Sequence, residues 1–170
     1  MAKYNNLLID RCRTVDWRKT LENKGYSYFD KGKYNLNLIG VRSKEHGNEF
    51  NDVFIIDYWT ANGKRYTPIY PCTTDPGYKS LTNPVNIKGC SILVPGQYRG
   101  CFKKGYHKGQ YLALVQHKPV KVFRDANKDF YLDCDESTIE EGMFGINIHK
   151  AGESVSYTHL RAHETLANLV

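Results

Sequence analysis

His149 is the residue in this chain best placed to do acid–base chemistry. It closes the run Gly142-Met143-Phe144-Gly145-Ile146-Asn147-Ile148-His149-Lys150. The alternation predicts a last strand over about 144 to 149, with Ile146 and Ile148 on one face and Asn147 and His149 on the other. An imidazole titrates near about 6.5, and a neighbouring hydrogen bond can fix its tautomer, so at a strand end it can serve as a general base. A surface or packing histidine has the same local sequence, so the position alone does not assign a role.

The other reactive residues are weaker candidates. The five cysteines, Cys12, Cys72, Cys90, Cys101 and Cys134, are odd in number and contain no C-x-x-C pair, which speaks against zinc and for reduced thiols. Cys90, in IKGCSILVPG, and Cys101, in YRGCFKKG, have glycine and basic neighbours that would favour a thiolate, although buried, inert thiols are the plainer expectation. Tyr98 and Arg99 of PGQYRG, with His107 beyond, offer a guanidinium to a carboxylate-bearing peptide, or simply pack a loop. Asp125, Asn127, Asp129, Asp133 and Glu136 fall at the spacing of a calcium loop, but Phe130 stands where its sharp turn needs glycine, so an Asx-rich turn is expected instead.

The elements that must position these residues are mostly strands. From 4 to 24, Leu7, Leu8, Val15, Trp17 and Leu21 lie among charges without Gly or Pro, and Gly25 follows as a cap, which predicts one or two amphipathic helices. Tyr34, Leu36 and Leu38, then Ile39 and Val41, predict a strand whose phase changes near Gly40. Asn62-Gly63 between two β-rich runs predicts a hairpin of strands at about 52 to 59 and 65 to 70. Long loops are expected over 78 to 110, then strands at 111 to 116 and 120 to 123, and a turn with a further short strand in RDANKDFYLD.

The motifs YNLNLIGVR, TTDPG, ILVPGQYRG, KGYHKGQY, VKVFRD and GMFGINIHKA resemble those of phage and gut-bacterial proteins related to the L,D-transpeptidase catalytic domain. The resemblance implies a mainly β (α+β) fold, a β-sandwich with N-terminal helices, and a site at strand ends. It implies that His149 activates a cysteine that attacks peptidoglycan stem peptides, with Asn147, Tyr98 and Arg99 at the substrate. In that family a Ser-x-Gly-Cys segment follows the histidine by roughly 15 to 18 residues, whereas here Ala167 stands near that place and Lys150 stands where many members have Gly or Ser. The base is therefore expected without its nucleophile, in an inactive fragment. The alternative is a non-catalytic phage or cell-wall-binding module.

Val155 to Thr165, VSYTHLRAHET, resembles a translated sequencing adaptor found in metagenome assemblies. The expected organisation is thus a helical segment over 1–33, a truncated catalytic-type domain over 34–154 and a non-native tail over 155–170, whose His159 and His163 are discounted as a metal pair. With 170 residues, 13 tyrosines and a net charge of +6, the chain reads as one folded domain with a scattered basic surface. No membrane span, signal peptide, phosphate loop or nucleic-acid platform is read in it, and no cofactor is expected. Synthesis in the cytoplasm and release by lysis or in a virion fit that reading.

Overall fold

The computed structural model describes residues 5–43 and 50–150. It opens with two helices, α1 (Asn6–Thr14) and α2 (Trp17–Asn23). The break falls where Val15 turns extended and Asp16 caps the second helix, its side chain accepting from the Lys19 N–H at 3.1 Å. Gly25, at φ 74, ends α2 as the sequence predicts.

Four strands follow, β1 (Asn37–Val41), β2 (Asp52–Trp59), β3 (Arg65–Tyr66) and β4 (Ile69–Cys72), all antiparallel to β2 where they pair with it. The expected strand over 65 to 70 is interrupted at Thr67-Pro68, where proline has no N–H to add to a ladder. The expected phase change near Gly40 is absent, because β1 runs in unbroken register from Asn37 opposite Asp57 to Val41 opposite Val53. Both faces of this sheet are covered, so apolar residues at successive positions all find partners. Ile39, Val53 and Ile55 pack on Cys12, Trp17 and Leu21 of the helices, while Leu38, Phe54 and Ile56 pack toward Leu114 and Ile148.

Next come α3 (Tyr78–Thr82), β5 (Cys90–Leu93), β6 (Phe102–His107), β7 (Tyr111–Gln116), β8 (Val120–Asp125) and β9 (Glu140–Gly142). β5, β8 and β9 make a second antiparallel sheet, and β6 and β7 a hairpin. Residues 78 to 110 do hold long loops, over 83–89 and 94–101, but they also hold α3, β5 and β6. Their glycines are misleading because Gly105 lies inside β6, where a Cβ would come within 2.6 Å of Val115 Cγ2 across the hairpin. No strand forms in RDANKDFYLD after Asp125, and a short 3₁₀ turn occupies Glu136–Thr138 instead.

The last strand differs most from expectation. Among the described residues β9 lies earlier than predicted, and in the 144–149 stretch Ile148 joins a ladder, by a bridge to Leu114 with N···O distances of 2.9 and 2.8 Å. Gly145 takes φ 71, which turns the chain out of the extended form. The N–H groups of Phe144 and Ile146 go to one side-chain oxygen, Gln116 Oε1, at 2.9 and 3.1 Å. The result is a mainly β protein of several antiparallel sheets with a few helices. Among the described residues no helix is long and apolar enough to cross a membrane.

Candidate functional site

The β6–β7 hairpin brings His107 and Tyr111 opposite each other at its turn, and the Leu114–Ile148 bridge delivers His149 beside them. The rings of His107 and His149 stack with centroids 4.1 Å apart and planes 26° apart, and the Tyr111 ring lies 5.4 Å from His107. This cluster was only partly legible in the sequence. His149 stood out by its strand-end motif, whereas Tyr111 joins it through a hairpin pairing and a bridge spanning 34 residues.

The hydrogen bonds settle both tautomers. His149 Nδ1 lies 2.6 Å from the Lys150 carbonyl oxygen, which can only accept, so Nδ1 carries a proton, and in the neutral ring the lone pair is on Nε2. Tyr111 Oη, 3.1 Å from the same nitrogen, is then a second acceptor. Asn147 is oriented by the Gln116 N–H, which donates to its Oδ1 at 3.0 Å, so its Nδ2 faces His107 Nδ1 at 3.3 Å as a donor. His107 therefore accepts at Nδ1 and carries its proton on Nε2.

Burial, the His149 charge and Lys108 hold the His107 pKa below the ordinary histidine value. A lowered value favours the neutral ring in the folded state, so this contribution to stability is complete above the unfolded pKa and is lost as pH falls through the folded one. Removing the neighbouring ring by His149→Ala is expected to raise the His107 pKa toward its ordinary value. Imidazole NMR titration of both proteins checks this, and an unchanged or lower His107 value would contradict the coupling.

Asn147, His107 and His149 line a cleft of about 660 Å³, whose other walls include Asp75, Cys90 and Arg124. Tyr98 and Arg99 lie elsewhere, on a second hollow of about 510 Å³ with Phe29 and Phe102. Tyr98 donates its hydroxyl to the Val94 carbonyl at 2.7 Å and packs into the core, while the Arg99 guanidinium sits 5.3 Å from the centre of the Phe29 ring. The structure therefore brings Asn147 to His149 and leaves Tyr98 and Arg99 apart from them.

Cys90 shares the cleft, but burial pushes its thiol pKa up, and the same holds for Cys101 despite Lys118 nearby. The basic neighbours read from the sequence do not overcome desolvation, so both sulfurs stay protonated at neutral pH. Cys134 is the exposed one, and all five cysteines are thiols. Ala167 and the residues from 151 onward, including His159 and His163, lie outside the described residues.

In the candidate calcium loop, Asn127 Nδ2 donates to Asp129 at 3.0 Å and to Asp133 at 2.6 Å, and the Tyr131 N–H donates to Asp129 at 2.7 Å. These oxygens tie an Asx-type turn instead of converging on a cation. Among the described residues no group of three or more His, Cys, Asp or Glu is arranged to hold a metal.

A charged network supports the far wall of the cleft. Buried Asp52 accepts from the Ser43 N–H at 2.7 Å and the Thr74 N–H at 2.6 Å. Arg42 donates to Thr74 and to the Leu93 carbonyl, and its Nε lies 2.8 Å from Asp75 Oδ1. That contact is one of charge, because both Asp75 oxygens are buried without a hydrogen bond. Burial and the nearby Asp52 charge push Asp75 up to about 6, against the opposing pull of Arg42.

Compared with known proteins, the chain matches no family model, no curated protein and no solved structure.

Proposed function

We propose that this chain carries the base half of a cysteine acyl-transfer site acting on peptidoglycan stem peptides, on an L,D-transpeptidase-like β-sandwich. The carrying observation is the His149 tautomer. Its Nδ1 proton is held by the Lys150 carbonyl, so in the neutral ring it is Nε2 that offers a lone pair to take a proton from a thiol. Asn147 and His107 stiffen the wall beside it. The nucleophile would come from outside the described residues, since burial disfavours the thiolates that Cys90 and Cys101 would have to form.

The chemistry of such a site would run from thiol to His149 Nε2, then from thiolate to a stem-peptide carbonyl, with the imidazolium returning its proton to the departing amine. The test is the uninterrupted gene product, assayed on purified muropeptides with and without His149→Ala. The expected outcome is a downstream Ser-x-Gly-Cys segment and a loss of turnover of at least about a hundredfold in the variant. Equal turnover by both proteins would remove His149 from the mechanism. Sacculus binding without any change in muropeptides would favour the non-catalytic wall-binding module, a reading that the protonated state of the cleft thiol Cys90 also suits.

A further inference from the structure

We propose that the hollow beside Arg99 binds a small carboxylate with a hydrocarbon body, at a ligand site separate from the His149 cleft. Its apolar walls are Phe29, Leu36, Leu38, Tyr98 and Phe102, and its volume of about 510 Å³ suits a small molecule. The resemblance put Arg99 at a stem peptide beside His149, whereas the geometry gives it a hollow of its own.

The walls are fixed before any ligand arrives. Asn37, 1% exposed, holds the Phe29 backbone with both ends of its amide, accepting from the N–H at 2.8 Å and donating to the carbonyl at 2.9 Å. Gln97 clamps the Ser27 backbone in the same way, at 3.0 and 2.8 Å. The loop carrying Tyr98 and Arg99 is thereby tied to the segment carrying Phe29, so little ordering is left for a ligand to impose.

The polar side chains of the lining decide what can enter. Asn37 Nδ2 also donates to the Asp57 carbonyl at 3.2 Å, so its amide is fully engaged, and the Tyr98 hydroxyl donates to the Val94 carbonyl at 2.7 Å. Only Arg99 keeps open donors. Its guanidinium sits on the Phe29 ring, 5.3 Å from the centroid, and makes one hydrogen bond among the described residues, from Nη1 to Ser27 Oγ at 3.4 Å. No carboxylate of the described residues pairs with it.

Charge favours an anion as well. No Asp or Glu lines the hollow, and Lys118 Nζ lies 3.4 Å from the place a Cβ on Gly100 would take, which adds a second positive charge. Glu141, whose charge reaches Tyr98, stands opposite Lys121 across β8 and β9 and is not part of the lining. A carboxylate matches the guanidinium fork, and a hydrocarbon body asks nothing further of the walls. Sugars, nucleobases and peptides would each bury polar groups that these side chains leave unanswered.

Octanoate is the probe, titrated into the full chain and followed by backbone amide NMR. Saturable shifts are expected at Phe29, Leu36 and Gly100, with a dissociation constant on the order of 1 mM or tighter. Octanol, equal in length and uncharged, should bind at least about tenfold more weakly, and so should octanoate to the Arg99→Gln variant. Leu36→Ala, at a wall position that is 42% exposed, should weaken octanoate by about two- to fivefold. Absence of saturable shifts, equal affinity for octanol, or full affinity in Arg99→Gln would overturn the site. Tighter binding of octyl phosphate would overturn the carboxylate as its head group. The octanol comparison needs no variant, so it decides even where a substitution disturbs the fold. Failure here leaves the acyl-transfer reading standing, because that reading is tested on muropeptides through His149.

Discussion

Replacing Gln116 with Leu is expected to lower folding stability by about 3–5 kcal/mol and to release His149 from its place beside His107. One buried amide serves four backbone groups. Its Nε2 donates to the carbonyls of Lys118 and Gly142 at 2.9 and 2.8 Å, and its Oε1 accepts from the N–H groups of Phe144 and Ile146. Leucine fills similar space and answers none of them. Each polar group left buried without a partner costs about 1–3 kcal/mol, and the total stays below the simple sum because this segment borders the cleft and part of it can rehydrate. Urea unfolding gives the stability, and the His149 ring shifts report its release. Gln116→Glu keeps the acceptor for the two N–H groups and loses the donor, so it should fall between Leu and the parent. A Leu variant within about 0.5 kcal/mol of the parent would show that the segment is held by something else.

Arg42→Met is expected to cost about 3–5 kcal/mol at pH 7, and distinctly less at pH 4. The substitution keeps the length and apolar stem of the side chain but leaves Asp52 and Asp75, buried at 1% and 3% exposure, without the cation between them. The pH dependence follows from Asp75. Its folded pKa of about 6 lies above the ordinary aspartate value, so its contribution to stability is complete below about pH 4 and is lost as pH rises through 6. Asp75→Asn in the parent chain should abolish this decline and gain about 2–3 kcal/mol at pH 7, read from thermal midpoints between pH 4 and 7. A flat parent profile over that range, or an Arg42→Met penalty independent of pH, would contradict the assignment.

What was legible in the sequence was what local chemistry dictates. Asn62-Gly63 announced the β2–β3 turn, Gly25 announced the end of α2, and the short apolar run YLALVQ announced β7, because turn geometry and strand composition are decided within a few residues. The break of the expected 65–70 strand at Pro68 is local, while the other failures came from distant partners. β1 read as phase-shifted because two layers cover it, and the glycine-rich stretch hid β6 because Gly105 is there to admit Val115 from the next strand. The last strand was misplaced because a side chain 28 residues back takes the hydrogen bonds of a ladder. At the site, His149 and Asn147 were legible together, while His107 and Tyr111 are joined to them by hairpin register and a single bridge, which no local pattern encodes.

The cysteines have a consequence unrelated to chemistry at the cleft. Cys12 lies in α1, Cys72 ends β4, Cys90 begins β5 and Cys101 precedes β6, so each layer of the molecule hides one sulfur, while Cys134 stays at the surface. An alkylating reagent reaches a hidden sulfur only when its own layer opens. The protein therefore carries an internal clock in four places and a reference hand in a fifth, and the order in which its parts come apart is written into the order of their labelling.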